Sequence, residues 1–145
     1  MSQSPEAGSR PLEVELALPV RSYDIDFAGI VSNFVYVRWL EDLRLCMLAE
    51  HLPLPDQVEE GYVPILLSTH VDYHRALRMF DEPVGRMWLS GLGRLRWTVE
   101  AEIVIGNVRA ATATQTGVFL RLGTLRPVAT PAHLRAKFEQ AGGRR

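Results

Sequence analysis

The sequence predicts an α+β fold in which an antiparallel sheet wraps around one long central helix. Apolar residues recur at helical spacing through residues 33–51, with Val35, Trp39, Leu43 and Met47 on one face. Four extended segments separated by turn residues follow, as is typical of antiparallel strands. One long helix beside a run of strands indicates an α+β fold. Because apolar residues also widen the helix face, we expect the sheet to cover this helix on most sides.

The first element is a half-buried strand over residues 13–18, where apolar and polar side chains alternate. We expect this strand to resume after a proline and to continue through Tyr23. The long helix begins near Asn33 and ends before Pro53, because a proline disfavours helical backbone in the residue that precedes it. A loop through Gly61 is expected to follow.

Turn signals divide the remaining extended segments. These segments cover residues 62–73, 83–92, 95–105 and 108–122. A Gly-Leu-Gly turn at 91–93 separates the second from the third, and a tight Gly-Asn turn at 106–107 predicts a hairpin between the last two. A short helix after Pro131 is expected to close the domain.

Length and composition predict a single soluble domain. The chain has 145 residues, 47% of them hydrophobic, and a net charge of −1. We expect a flexible lead-in at 1–12, one domain at 13–138 and a flexible tail at 139–145. The balanced charge argues against a nucleic-acid partner, and no apolar run has the length of a membrane span. Without a secretory signal and with one cysteine, Cys46, a cytoplasmic location is predicted.

The strongest functional signal is a pair of acids just before the long helix. Asp24 and Asp26 end a polar segment, Gly29 permits a sharp turn, and the helix begins near Asn33. A carboxylate beside a helix N-terminus lies close to unpaired backbone amides and to the positive end of the helix dipole. This arrangement suits attack on a carbonyl group, because the amides can hold the resulting oxyanion.

Thioester hydrolysis would need little beyond these groups. A thiolate leaving group, whose conjugate acid has a pKa of about 8.5, departs without a general acid. The Asp26 carboxylate can act as general base or nucleophile, and the Asn33 backbone N–H can donate to the oxyanion. Asp26 also suits a simple turn or capping role. Asp24 is expected to share its strand face and to be solvated.

The residues around Asp26 match a known motif: an acid, two residues, a glycine, two apolar residues, the helix start and a tyrosine. In this chain the motif reads Asp26, Gly29, Ile30, Val31, Asn33 and Tyr36. It resembles the active-site segment of the hot-dog-fold acyl-CoA thioesterases, particularly the 4-hydroxybenzoyl-CoA and YbgC-like branch. The likeness covers about residues 14–137, and its specific part is residues 26–36.

The resemblance implies a hot-dog fold and acyl-CoA thioesterase activity with no cofactor and no metal. Asp26 and Asn33 would be catalytic, Gly29 would lie at the substrate, and Ile30 and Val31 would touch the acyl group. The family also implies a homo-oligomer, either a dimer or a dimer of dimers, with active sites between subunits. Surface arginines would hold the CoA phosphates, and the candidates are Arg94, Arg96 and Arg126.

Three alternatives stay open. The acyl group could be carried by acyl-carrier protein instead of CoA. An enoyl-thioester hydratase of the same fold would pair the acid with a histidine five residues later, where this chain has Val31. A non-catalytic acyl-CoA-binding module is the third.

Two other groups of polar residues have structural interpretations. His70, Asp72 and His74 alternate on one strand, but the outer pair would lie about 13 Å apart, which disfavours a shared metal. Glu41 and Arg44 have the spacing of a helical surface ion pair.

Overall fold

The computed structural model describes residues 10–143 and confirms the predicted α+β class. The strands are β1 (Val14–Ala17), β2 (Tyr62–Tyr73), β3 (Val84–Leu92), β4 (Arg96–Ile105), β5 (Val108–Arg121) and β6 (Pro127–Val128). The helices are α1 (Asn33–His51), α2 (Leu54–Glu60) and α3 (Ala132–Gln140). The predicted flexible ends include residues 1–9 and 144–145, which lie outside the described residues.

The strands form one antiparallel sheet in the order β1-β3-β4-β5-β2, and β6 pairs with β5. A tight turn at 106–107 joins β4 to β5, as predicted. The preceding turn lies later than predicted, because Gly91 still pairs with Thr98 and the Gly93 amide donates to the Arg96 carbonyl. This order leaves β1 and β2 at the two edges of the sheet.

Helix α1 packs one face against the sheet. The buried side chains on that face are Val35, Tyr36, Trp39, Leu40, Leu43 and Met47. On the opposite face, large apolar side chains stay exposed: Val37 is 43% exposed, Leu45 44% and Phe34 70%. The expectation that the sheet covers the helix on most sides is therefore wrong for a single chain, whose one sheet covers one side of α1. Within residues 10–143, no helix combines the length and apolar character of a membrane span.

Two short segments differ from the prediction. Residues Ser22–Asp24 form a 3-10 turn instead of a continued strand, because the Asp24 carboxylate accepts a hydrogen bond from the Arg21 amide. The predicted loop after α1 contains helix α2, which ends at Gly61 in a left-handed conformation.

Glu102 is a buried carboxylate on the face of the sheet opposite α1. It accepts hydrogen bonds from Arg10 (3.1 Å), Arg86 (3.2 Å) and Arg109 (3.1 Å). The Arg10 guanidinium also lies 4.0 Å from the centre of the Trp88 ring. These contacts attach the described start of the chain to the sheet. Burial by itself would raise the pKa of the Glu102 carboxyl, but the arginines outweigh it and lower that pKa.

Glu102→Gln is expected to reduce the free energy of unfolding by about 1.5–3 kcal/mol at pH 7, because hydrogen bonds to a charged acceptor are lost. Because the pKa of Glu102 is lower in the folded than in the unfolded protein, its charged carboxylate stabilises the fold at pH values above the unfolded pKa. This stabilisation is lost as the pH falls through the folded pKa. The difference between wild type and variant should therefore shrink below about pH 4.3. Urea unfolding across pH 3–7 measures both effects. The exposed Glu100→Gln is the matched control, and an equal loss there would contradict the assignment.

Candidate active site

Asp26 begins a tight turn that leads into helix α1. Its amide donates to the Ile30 carbonyl (2.8 Å), and its carbonyl accepts from the Gly29 amide (3.0 Å). Ile25 and Val31 form an antiparallel bridge at the base of this turn. Gly29 has φ +80°, a conformation that favours glycine, so the predicted sharp turn is present.

The two oxygens of the Asp26 carboxylate have different surroundings. Oδ1 accepts a hydrogen bond from the Ala28 amide (2.9 Å) and a longer one from the Ile30 amide (3.4 Å). Oδ2 has no donor among residues 10–143, and the residue is half-buried. Asp26 thus has the expected structural role in the turn, but only its Oδ1 atom takes part in it. The other is open to a water molecule or a substrate.

The start of α1 presents unpaired backbone amides. Ser32 is the N-cap residue, and its side chain makes no capping hydrogen bond. The amides of Asn33 and Phe34 donate to no acceptor within the described part of the chain. Free N–H groups at the positive end of a helix dipole are suited to hold an oxyanion. The Asn33 side chain is exposed, so the expected role falls to its backbone.

Aromatic side chains fix the helix start to the sheet. The buried Tyr36 ring packs edge-to-face against Trp39 (5.3 Å between centroids) and Tyr73 (5.0 Å). The Tyr73 hydroxyl donates to the Asn33 carbonyl at 3.1 Å. Burial raises the pKa of both tyrosines, so both are neutral near pH 7. The motif tyrosine therefore anchors the helix that carries the free amides.

Asp24 is buried rather than solvated, contrary to the expectation. Its Oδ1 accepts from Arg38 Nη2 (2.8 Å), and its Oδ2 accepts from the Arg21 amide (2.9 Å). The Asp24 backbone carbonyl accepts from the Ser32 amide at 2.8 Å. Asp24 is the last residue of the 3-10 turn and is only 1% exposed. Asp24 thereby connects both ends of the segment that contains Asp26.

Three exposed aromatic side chains lie in the segment around Asp26. Tyr23 and Phe34 are 76% and 70% exposed, and Phe27 is fully exposed. Alternating or helical spacing does not distinguish exposed from buried aromatic residues here, so this exposure was not predicted. Large exposed apolar side chains concentrated in one place indicate a contact surface.

The remaining predicted site residues divide into two groups. Ile30 is half-buried beside the Asp26 turn. Val31 packs in the core against Val35 and Leu77, so its predicted contact with an acyl group is not supported. A β-bridge turns this side chain inward, which the motif alone does not reveal.

The predicted CoA-binding arginines lie at the other end of the sheet. Arg94 lies in the turn before β4, Arg96 is the first residue of β4, and Arg126 follows the end of β5. Val31 packs near Ile103, at the far end of β4. Seven residues of strand separate Arg96 from Ile103, a distance of about 24 Å. Within one chain these arginines therefore do not face Asp26.

The other polar groups have local partners. His70 Nε2 lies 3.2 Å from Asp72 Oδ1, whereas His74 Nε2 lies 2.9 Å from the Thr112 hydroxyl. The predicted Glu41–Arg44 pair forms. Within residues 10–143, no group of three or more His, Cys, Asp or Glu side chains has the arrangement of a metal site.

Comparison with known proteins shows the family to which the chain belongs. The thioesterase-like superfamily matches residues 20–138. A Synechocystis protein named for esterase activity, sll0410, is 26% identical over 91 residues, which are 62% of this chain and 55% of that protein. This chain thus matches little more than half of that relative's length.

Solved structures with the same fold include two thioesterases. A DHNA-CoA thioesterase from Staphylococcus aureus is 16% identical, with 90% of this chain and 91% of that chain covered and a TM-score of 0.80. A Thermus thermophilus thioesterase complexed with coenzyme A and zinc is 25% identical, with 93% of this chain and 97% of that chain covered and a TM-score of 0.76. The predicted hot-dog fold and the resemblance to its thioesterases are confirmed.

Proposed function

Because the chain belongs to the thioesterase-like superfamily, we propose that it hydrolyses an acyl-CoA thioester to a free acid and CoA. The observation that carries this proposal is the combination of one free carboxylate oxygen on Asp26 with the free amides of Asn33 and Phe34. A base or nucleophile and an oxyanion site are the two groups that this reaction needs.

In the proposed reaction, Asp26 Oδ2 either removes a proton from water as the water attacks the thioester carbonyl, or attacks that carbonyl itself to form a mixed anhydride that water then hydrolyses. The Asn33 amide donates to the developing oxyanion, and the helix dipole adds to its stabilisation. The CoA thiolate then leaves without needing a proton from the protein. No step requires a cofactor or a metal.

Two observations bear on the alternatives. The Thermus thermophilus relative was solved with coenzyme A, which favours CoA over acyl-carrier protein as the carrier. A hydratase would need a base at position 31, but Val31 is a buried core residue. A binding module differs from a hydrolase in having no turnover.

The active site is proposed to form between two copies of the chain, joined along strand β2. Residues 66–70 and 72–73 of this edge strand are exposed. Antiparallel pairing with a second copy, centred on residue 70, would place Tyr73 of one chain opposite the bulge at Leu66 and Leu67 of the other. Such a pair would bury the exposed edge and place both α1 helices on one face of a continuous sheet.

This pairing would also bring the arginines at the distant end of the sheet close to the Asp26 turn of the other copy. Tyr62, at the other end of β2, pairs with Arg121, whose amide donates to the Arg126 carbonyl. In an antiparallel dimer, that end lies beside the helix start of the second copy. Arg126 of one copy would then approach the Asp26 turn of the other, which agrees with the proposed contact to CoA phosphates.

Leu67→Lys is expected to weaken the dimer at least about tenfold, because a charge at an edge strand opposes pairing with another edge. Leu67 is 51% exposed and lies at the bulge in β2. Analytical ultracentrifugation over a concentration series measures the effect. Val108→Lys, an exposed position at the distant hairpin, is the matched control. A wild-type monomer at micromolar concentration, or an unchanged Leu67→Lys dimer, would rule out this interface.

The function is tested by incubating the purified protein with acetyl-, hexanoyl-, benzoyl- and palmitoyl-CoA and detecting released thiol with Ellman's reagent. We expect catalytic release with at least one of these substrates. Binding of acyl-CoA in calorimetry without turnover would instead identify a binding module.

A further inference from the structure

Asp24 and Asp26 lie two residues apart, but their carboxylates have different surroundings. Asp26 keeps one oxygen without a donor among residues 10–143. Both oxygens of Asp24 are occupied, because Arg38 Nη2 donates to Oδ1 at 2.8 Å and the Arg21 amide donates to Oδ2 at 2.9 Å. The Asp24 side chain has no exposed surface, whereas that of Arg38 is 46% exposed. Asp24 is therefore not available to a substrate, and its role has to be indirect.

The residues between Asp24 and helix α1 form a small closed hairpin. At its base, the Ser32 amide donates to the Asp24 carbonyl (2.8 Å), and Ile25 and Val31 form an antiparallel bridge. The turn that begins at Asp26 lies at the other end of the hairpin. Because these bonds are internal to the hairpin, they hold its shape but do not set its angle to α1.

The ion pair of Asp24 with Arg38 connects this hairpin to the second turn of α1. Long side chains in a helix point toward its N-terminus, which lets the Arg38 guanidinium reach back to Asp24. Val31 and Val35 also pack in the same core cluster. Apolar packing is not directional, however, whereas a charge-assisted hydrogen bond of 2.8 Å fixes a geometry. The ion pair is thus suited to set the angle between hairpin and helix.

Arg38 also balances the charge of Asp24 close to the proposed reacting groups. An unpaired carboxylate two residues from Asp26 would oppose a developing oxyanion, because like charges repel strongly where little water screens them. The hydrogen bond to Asp24 raises the pKa of Arg38 above its usual value, so this guanidinium stays charged. With Arg38 in place, the pair has no net charge.

We propose that Asp24 and Arg38 are positioning residues, whose ion pair holds the Asp26 carboxylate at its working distance from the amides at the start of α1. This inference rests on the proposed function and deepens it, because it names two residues that act on the reaction through Asp26. A misplacement of about 1 Å can cost about a hundredfold in rate. Such a loss appears in kcat rather than in KM, because substrate binding is kept.

Arg38→Met removes the charge and keeps a long, unbranched side chain. We expect kcat for the preferred acyl-CoA to fall about 10- to 100-fold, while KM changes less than about twofold. Arg38→Lys keeps a charge that can pair with Asp24, so it should recover part of the loss. A wild-type kcat in folded Arg38→Met, or no recovery in Arg38→Lys, would overturn the proposal. A rise in KM alone would instead place Arg38 in substrate binding and overturn it too.

Arg109→Met is the matched control. Arg109 is likewise an exposed arginine paired with a buried carboxylate, that of Glu102, but this pair lies on the other face of the sheet. Its removal should leave kcat at the wild-type value. A loss equal to that of Arg38→Met would show that any broken ion pair has this effect.

A double variant separates positioning from general destabilisation. In an Asp26→Asn background no carboxylate is left to position, so adding Arg38→Met should lower kcat little further. A further loss of about tenfold or more would show that Arg38 acts independently of Asp26, against the proposal. Circular dichroism and thermal unfolding verify that each variant is folded.

Positioning can also be measured without turnover. The Ala28 amide donates to Asp26 Oδ1, and the Ser32 amide donates to the Asp24 carbonyl, so their ¹⁵N–¹H signals report on the hairpin. We expect both signals to shift in Arg38→Met and in Asp24→Asn, and to stay in place in Arg109→Met. Unmoved signals in Arg38→Met would overturn the positioning role, whether or not the protein is a thioesterase. Wild-type protein that releases no thiol would contradict the proposed function, and the amide signals would then decide the positioning role by themselves.

Discussion

Replacing Asp26 with asparagine is expected to lower kcat by about 10²- to 10⁴-fold, because the amide can neither accept the proton of water nor attack a carbonyl. The amide oxygen can still accept the hydrogen bond that the Ala28 amide now gives to Oδ1 (2.9 Å). The turn should therefore persist, and the thermal unfolding midpoint should stay close to that of wild type. Thiol release from the preferred acyl-CoA measures the loss.

The matched control for this change is Asp56→Asn. Asp56 is an exposed acid in the first turn of α2, so the substitution alters charge equally without touching the Asp26 turn. Its activity should equal that of wild type. Full activity of folded Asp26→Asn would remove Asp26 from the reaction.

Asn33→Pro is expected to lower kcat by about 10²- to 10³-fold, the usual loss when an oxyanion donor is removed. Proline has no N–H, and it is well tolerated at the first position of a helix. Ser32, the preceding residue, has φ −65° and ψ 144°, a conformation that a following proline favours. The substitution thus removes the proposed donor while the helix start is retained.

Asn33→Ala is the control for Asn33→Pro, because it deletes the exposed side chain and keeps the amide. We expect Asn33→Ala to retain most of the activity, and both variants to show the wild-type circular dichroism spectrum. Equal activity of the two variants would show that this amide does not hold the oxyanion. A loss in both would assign the role to the side chain instead.

These two substitutions test opposite halves of one arrangement. Asp26→Asn removes the free carboxylate oxygen, and Asn33→Pro removes the free amide. Asp24 supports both, since its carboxylate pairs with Arg38 and its carbonyl accepts from the Ser32 amide. When two groups act together in one transition state, the effects of removing them are not additive. The kcat of the double variant should therefore be only slightly below that of the less active single variant.

The local sequence predicted the elements that depend on local chemistry. Helix α1 begins at Asn33 and ends at His51, as expected, because apolar spacing and the proline at 53 act within a few residues. Strand β2 spans Tyr62–Tyr73, also as expected. The Asp26 turn was predictable for the same reason, because a glycine lies three residues after the acid, and in the structure this glycine has positive φ.

Residues that depend on distant contacts were predicted less well. Asp24 was expected to be solvated, but it is buried against Arg38, fourteen residues later. Val31 was expected at the substrate, but it packs against Leu77. In each case the side chain's direction is set by partners far along the chain, and local periodicity contains no information about them.

By itself, the sequence determined the α+β class, the family resemblance and the acid–glycine–helix segment, since each depends on spacing between neighbouring residues. Only the tertiary structure decided which Asp26 oxygen is free, that one face of α1 stays uncovered, and that Arg38 pairs with a buried Asp24. The physical reason is that burial and cavities arise where separate elements meet. Their side chains come together only when the sheet closes on the helix.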